Sequence, residues 1–460
     1  MASHLGVRFR TRQRNTVVYD VLREREGWYE VAEEDEDDPD SWDFFWADTS
    51  WCHEHLSRTK LAPHQRVNHF ANHYELTRKD LLVKNLKRAK RALEREGQAD
   101  EASRYDFFPD TFALPADYHL FVEHFKSASR DAAADGAPAP LYIMKPVGKS
   151  QGKGIFLFNK LSQIADWRHR DGAEPYVCQR YVERPLLLAG KKFDLRVYVL
   201  VLSYSPLRVY LYRSGFARFA GTRYSTSPRD IRTLEMHLTN VAVQRRSETF
   251  DARVGVKMDA KSLRLRLASR HGAEKIDRLF DDVQLLIVRS LLSVANVVVR
   301  DPHCFEIYGY DVIVDERLKP LLVEVNASPS LSADSRADER LKRAMLHDAL
   351  DAVDVEGLVS GERSGDEPPP LEVGGFDLVW DGGPVVDPDV GGARASCLGC
   401  HNESLESFRL EDEDDAENDA EEEDAYASEV EILEAYYEDE ADADRFARKP
   451  RCDGEPVVPS

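Results

Sequence analysis

The chain has 460 residues, a formal net charge of −22 and 32% charged residues. That balance looks hostile to acidic partners, but it is unevenly spread: residues 361–460 hold 31 acids against 7 Lys and Arg, whereas the rest hold 53 acids and 55 bases. A basic body with acidic appendages follows, long enough for more than one domain. Six scattered cysteines, no secretory signal and no long apolar run exclude a disulfide-built or membrane-spanning class, so a soluble, reducing-compartment protein is expected.

In chain order, Met1 to about Trp28 alternates bases with Val and Tyr and predicts one or two strands. Glu30 to Asp43 carries nine acids and no base, and its EEDEDDPD run reads as a solvated loop. Trp42, Phe44, Phe45, Trp46 and Trp51 need burial, so a small N-terminal domain resumes there. Arg78–Arg95 predicts a helix with Leu82, Leu86 and Leu93 inward and Lys79, Lys84, Lys87, Arg88, Lys90, Arg91 and Arg95 outward. That face is either simply solvated or a dock for an acidic polymer. Without interleaved aromatics, nucleic acid is the weaker of the two polymer choices, behind an acidic protein tail.

Ala128–Pro140 reads as a loop, followed by a strand Leu141–Lys145, a glycine-rich loop Gly148–Gly154 and a strand Ile155–Phe158. Strand, glycine loop, strand is either an ordinary hairpin or a flap over phosphates, because glycine lets backbone N–H groups approach an anion. The spacing is not that of a P-loop. Lys145 favours the flap, since an inward strand lysine needs an anion. Pro175–Val182 is another strand. Lys192 opens a long one to Tyr204, in which Lys192, Asp194 and Arg196 share a face. That face is an ion-pair ladder or the lining of a nucleotide cleft. A strand over Leu207–Phe219 carries Arg213 and Arg218, and His237-Leu238-Thr239-Asn240 adds a polar cluster. Helices are predicted over Asp259–Arg270, Glu274–Val299 and Asp338–Ala352, the last bringing Lys342 near the site.

Between the last two helices, Ile307–Val314 and Leu321–Val325 form a predicted hairpin around Asp315-Glu316-Arg317, closed by the turn Ala327–Ser330. Acids and amides are poor strand residues, so Asp311, Glu324 and Asn326 stand out. Glu324 and Asn326 share a face. With Asp311 opposite, three oxygen ligands of the kind Mg²⁺ prefers converge; otherwise these are polar residues on a wet face. Beyond Gly361 the chain is Gly, Pro and acid-rich. Cys397-Leu-Gly-Cys400-His401 matches a haem-attachment spacing, but without export unpaired thiols are expected.

The order of these parts resembles the ATP-grasp ligases and, more narrowly, the tubulin tyrosine ligase-like family in its polyglutamylase branch. The resemblance rests on IMKPVGKSQGKGIFLF, CQRYVERPLLLAGKKFDLRVYVLV, HLTNVAVQ and GYDVIVDERLKPLLVEVNASPS, with HFANHYELTRKDLLVKNLKR, HCFEIYGYD and GGFDLVWDGGPV in support. It implies an α/β (α+β) ATP-grasp fold: an N-terminal domain over 1–115, a central flap domain over 116–192, a C-terminal antiparallel-sheet catalytic domain over 193–360, and a linker with a disordered acidic tail over 361–460.

The resemblance also implies ATP and Mg²⁺ as cofactors. Lys145, Gln151 and Gly152 would contact phosphates, and Gln179, Arg180, Tyr181 and Val182 would form the hinge that reads adenine. Lys192, Phe193 and Asp194 would line the nucleotide, and Thr239 and Asn240 would reach its ribose and phosphates. Asp311, Glu324 and Asn326 would hold the metal, with Arg196 and Lys153 as catalytic cations. Arg218, Lys257 and Lys342 would hold free L-glutamate, although VGVKMD around Lys257 departs from the Gly-Gly-Lys-Trp pattern. The implied activity adds glutamate to tubulin tails. The alternatives are a catalytically weak microtubule-binding scaffold or partner subunit, and a glycine ligase. Tubulin or microtubules are the implied partners, with a partner subunit left open and neither nucleic acid nor membrane expected. The implied location is cytoplasmic and cytoskeletal, at a cilium or flagellum axoneme and basal body.

Overall fold

The computed structural model describes residues 6–32, 38, 40–168, 174–227, 229–245, 257–327, 329, 331, 333, 335–361, 368–387 and 391–408. The described residues form a mixed α/β structure with three sheets, and the mixed α/β class is what the sequence pattern and the resemblance lead one to expect. The first sheet is parallel, in the order β2-β1-β3-β4, from β1 (Val7–Thr11), β2 (Trp28–Glu30), β3 (Phe44–Trp46) and β4 (Arg66–Val67). The expected strand-only start is corrected here by a helix, α1 (Val17–Glu24). Val17, Val18, Val21 and Leu22 recur at helical spacing, the Thr16 side chain caps the first turn, and parallel neighbours need a crossover. Trp42, Phe44, Phe45, Trp46 and Trp51 are all buried.

Next comes α2 (Lys79–Arg95), which buries Leu82 and Leu86 and packs Leu93 against the main core. The second sheet is antiparallel, in the order β5-β8-β6-β7: β5 (Thr111–Leu114), β6 (Tyr142–Pro146), β7 (Phe156–Phe158) and β8 (Tyr176–Arg180). Helix α3 (Tyr118–Ala134) packs Phe121 and Phe125 on it. Most of the loop expected over Ala128–Pro140 is therefore the last turns of α3. The alanines that suggested a loop are the best helix formers, and the chain leaves the helix only at Asp135, before Gly136 at φ 67°.

The third sheet carries most of the chemistry. Its main path is β14-β13-β10-β11-β16-β15, antiparallel throughout. It comprises β9 (Leu187–Leu188), β10 (Lys191–Tyr204), β11 (Leu207–Phe219), β12 (Lys257–Asp259), β13 (Glu306–Val314), β14 (Pro320–Ala327), β15 (Glu372–Val373) and β16 (Phe376–Asp381). β9 pairs with β10, and β12 with β11. Helices α4 (Ala260–His271), α5 (Ala273–Val294) and α6 (Arg336–Val353) bury their apolar sides in the cores around it.

The expectation of nothing but linker and tail beyond Gly361 is corrected in this sheet. β16 pairs with β11 in the register Tyr210↔Leu378 and Tyr212↔Phe376, burying Phe376 and Leu378. Arg213 closes the join on Asp377 at 2.7–2.8 Å. A six-residue strand among glycines and prolines is lost when composition is read over a hundred positions. The acidic stretch Glu411–Asp444, most of the EEDEDDPD run and part of the Ala327–Ser330 turn lie outside the described residues. Among the described residues no helix is long and apolar enough to cross a membrane.

Candidate active site

Alternation on β10 builds the floor of the site. Lys192, Asp194 and Arg196 take one face; Phe193, Leu195 and Val197 take the other. Register then sets Asp194 opposite Arg218 of β11, and Arg196 opposite Asp311 of β13. A continuous chain of charge-assisted bonds results. Arg196 Nε donates to Asp311 Oδ1 at 2.6 Å and its Nη2 to Oδ2 at 3.1 Å. Arg218 Nη2 lies 2.8 Å from Asp311 Oδ2 and donates to Asp194 Oδ2 at 2.7 Å. Thr239 Oγ1 donates to the same Asp194 oxygen at 2.8 Å. Gly309 makes room for this chain, since a Cβ there would sit 3.3 Å from Arg196 Cδ and 2.9 Å from Pro329.

β14 delivers Glu324 directly opposite Asp311, and the register slips immediately afterwards, with Val312 facing Leu322. This bulge turns both Val323 and Glu324 toward the cleft, a re-aiming that strict alternation would forbid. Asn326 lies behind them, its Nδ2 3.3 Å from the Gly309 carbonyl and 3.4 Å from Asp311 Oδ2.

The second sheet supplies the roof. Lys145 Nζ donates to Gln179 Oε1 at 2.8 Å, and Gln179 Nε2 donates to Thr111 Oγ1 at 2.9 Å. In the flap, Gln151 and Gly152 have φ of 60° and 73°, and a Cβ on Gly152 would meet Val243 at 2.7 Å. Glycine is required there. At the hinge, Lys192 Nζ donates to the Tyr181 hydroxyl at 3.0 Å and to the His237 carbonyl at 2.8 Å, and Tyr181 OH lies 3.0 Å from His237 Nδ1. Ile143, Ile155, Leu238 and Ile313 give the cleft apolar walls beside this polar base.

Burial sets the electrostatics. Loss of hydration pulls the Lys192 ammonium down to about 7 and that of Lys145 to about 8, only partly offset by nearby Asp194 and Glu324. Asp311 is also fully buried, which would raise its pKa, but Arg196 and Arg218 overcome that and hold it below the usual carboxylate range. Arg218 in turn is held above its ordinary value: Asp194 and Asp311 outweigh its own burial. The site thus contains acids already neutralised by arginines and two lysines short of an anion.

Of the residues singled out from sequence, Lys145, Gln151, Gly152, Gln179, Arg180, Tyr181, Val182, Lys192, Asp194, Thr239, Asn240, Arg218, Asp311 and Glu324 line one cleft. Arg196 and Asn326 stand behind Asp311. Phe193 faces the opposite way and packs on Phe219 with ring centroids 5.5 Å apart, so its side chain is core. Lys153 is exposed on the flap and does not line the cleft. Lys257 and Lys342 sit outside that cleft, beyond Arg218, and meet at Asp338: its Oδ2 lies 3.1 Å from Lys257 Nζ and 2.6 Å from Lys342 Nζ.

Sequence reasoning missed Lys79. The basic helix was expected to present it to solvent, yet it lines the cleft, with Nζ 3.1 Å from Glu324 Oε2 and 3.5 Å from the flap carbonyl of Lys149. One more base of that helix turns inward: Lys87 donates to the Thr111 carbonyl and lies 5.1 Å over the Phe112 ring, whereas Lys90 pairs with Asp106 at the surface. The outward set is Lys84, Arg88, Arg91 and Arg95. A separate buried trio, His69, His73 and Glu306, has ligand-type atoms within 4.8 Å of one another. Its carboxylate is satisfied by His69 Nδ1 at 3.0 Å, Phe70 N at 3.2 Å and Tyr308 OH at 3.1 Å, a network that stitches β4 to β13.

Residues 57–360 match the family described as the tubulin-tyrosine ligase family. The chain belongs to that family. Among curated proteins, the "Probable tubulin polyglutamylase TTLL9" of Bos taurus is 45% identical over 447 residues, covering 88% of this chain and 92% of its own length. "Probable tubulin polyglutamylase ttll-9" of Caenorhabditis elegans is 43% identical over 366 residues, with 79% and 82% covered. The Tetrahymena thermophila "Probable alpha-tubulin polyglutamylase Ttll1" is 40% identical over 377 residues, with 77% and 88% covered. The family match spans α2, the flap, the hinge and the β10–β14 carboxylates, all the elements that line the cleft.

Proposed function

We propose that this tubulin-tyrosine ligase family member is an ATP-dependent carboxylate–amine ligase that adds glutamate to glutamate side chains in acidic tubulin tails. The observation that carries the reading is the pairing of two buried, anion-deficient lysines with a glycine flap on one side of the cleft and a carboxylate pair on the other. A triphosphate fits those lysines, because each would regain a counter-charge it lacks. The apolar walls beside the hinge suit a purine.

Mg²⁺ fits Glu324, Asp311 and the Asn326 Oδ1, which are hard oxygen donors on facing strands. Lys79 Nζ lies 3.1 Å from Glu324 Oε2, a cation already held by the carboxylate that would hold the metal. Bound there, the metal supplies charge neutralisation for phosphoryl transfer. The chain's own part is positional: Arg196 and Arg218 hold Asp311 ionised, and Lys145 and Lys192 hold the phosphates.

The acceptor carboxylate oxygen bonds to the γ-phosphorus as the bridging P–O bond to ADP breaks, giving an acylphosphate. The free glutamate amine then forms the C–N bond at the acyl carbon, phosphate departs with the C–O bond pair, and the surplus ammonium proton passes to solvent. Arg218, Lys257 and Lys342 would hold the two carboxylates of free glutamate. Two lysines beyond Arg218 favour a dicarboxylate over glycine. The outward stripe of Lys84, Arg88, Arg91 and Arg95 offers a surface for an acidic tail, and such a substrate places the protein at the cytoskeleton, ciliary microtubules included. Incubation with tubulin, Mg-ATP and labelled glutamate or glycine tests the reading. Label from glutamate is expected in tubulin. Label from glycine, or microtubule binding without label, would replace it by the glycine ligase or the scaffold.

A further inference from the structure

We infer that Asp338 is a positioning residue for the incoming amino acid, fixing Lys257 and Lys342 as one receptor for its side-chain carboxylate; this rests on the ligase reading above. The two lysines come from distant elements, the first residue of β12 and the middle of α6. Both converge on a single oxygen, Asp338 Oδ2, at 3.1 and 2.6 Å. The Asp338 and Lys342 side chains are each 3% exposed. Two ammonium groups that share one acceptor repel each other, and the shared carboxylate offsets that repulsion.

Asp338 itself cannot drift. It sits in the first turn of α6, where its backbone N–H donates to the N-capping Ser335 Oγ at 3.2 Å. Lys257 is constrained twice more. β12 pairs it with Arg218 across the ladder, and its Nζ lies 4.7 Å from the centroid of the Phe216 ring. Asp338 therefore ties the edge of β12 to α6 and fixes how far the lysine pair stands from Arg218. Arg218 already contacts Asp311 and Asp194 in the cleft, so the distance from Arg218 to the pair sets the length of dicarboxylate that spans them.

The test is steady-state kinetics of D338N, D338E and K257M, each checked for thermal stability, with glutamate and ATP varied separately against tubulin. D338N should raise the KM for glutamate by about tenfold or more and leave the KM for ATP within about twofold, while D338E recovers most of the loss. K257M, altering a partly exposed residue, should raise the same KM, and adding D338N to it should cost less than D338N costs alone, because one of the two ammonium groups that Asp338 holds is already gone. An unchanged glutamate KM in folded D338N overturns the inference. So does a parallel rise in both KM values with lowered stability, which marks a merely structural acid. If D338N fails to fold, K257M and D338E carry the test: an unaltered glutamate KM in both overturns it. A wild-type protein that binds ATP but incorporates no glutamate would instead remove the ligase reading.

Discussion

With a nucleotide in the cleft, as proposed, the two buried lysines would make binding a proton-uptake reaction. In the ligand-free site Lys192 titrates near 7 and Lys145 near 8, both lowered first by burial. Phosphates beside them would restore each toward the ordinary lysine value of about 10.4. A group whose pKa rises on binding takes up a proton whenever the pH lies between its free and bound values, so affinity falls as pH rises through that window. From pH 7 to pH 8.5 the Lys192 equilibrium contributes about a 16-fold loss and Lys145 about fourfold. Together that is roughly 60-fold in Kd, or about 2.4 kcal/mol. At pH 8 the complex should absorb about 1.4 protons per nucleotide. Calorimetry of Mg-ATP binding in two buffers of different ionisation enthalpy measures both quantities. The single variant Lys145→Met should weaken binding and reduce the uptake at pH 8 by about half a proton. A Kd flat across that range, with the same heat in both buffers, would refute the claim that these lysines wait for an anion.

Three further outcomes follow from the same geometry. Glu324→Gln removes a carboxylate charge without changing volume; ligation should drop more than about 100-fold while the melting temperature moves by no more than about 2 °C, and near-normal turnover would show that Glu324 holds no metal. Reversing Lys84, Arg91 and Arg95 to Glu should raise the KM for tubulin roughly tenfold at low salt and much less at high salt, and an unchanged KM across a salt series would return that stripe to a plain solvated face. Truncation after residue 408 should leave thermal stability nearly intact, whereas truncation after 360 strips β16 from β11, removes buried Phe376 and Leu378 at about 2–3 kcal/mol each, and should lower the melting temperature by 10 °C or more or yield insoluble protein. Equal stability of the two truncations would deny β16 any part in the fold.

What the sequence made legible and what it hid divide along the range of the interactions involved. Lys192, Asp194 and Arg196 share a face because side chains alternate along any strand, and the hairpin bearing Asp311 and Glu324 announces itself by acids set in apolar runs; neither needs a partner to be read. The misses depend on partners. Lys79 looks like one more surface base, because helical spacing fixes a residue's angle about the axis but not what its long side chain can reach past the helix end. Only the packing of α2 near the flap and β14 brings its ammonium to Glu324. β16 is six residues whose pairing partner lies more than 160 positions earlier, so no local window reveals it. Asp338 is hidden most thoroughly. In sequence it is an acid in the first turn of a helix, where acids are ordinary dipole partners, and α6 alone predicts only its link to Lys342 four residues on. Its second lysine arrives from β12 through the ladder with Arg218, and with it the residue changes from a helix-end acid to the joint between α6 and the strand edge beside Arg218.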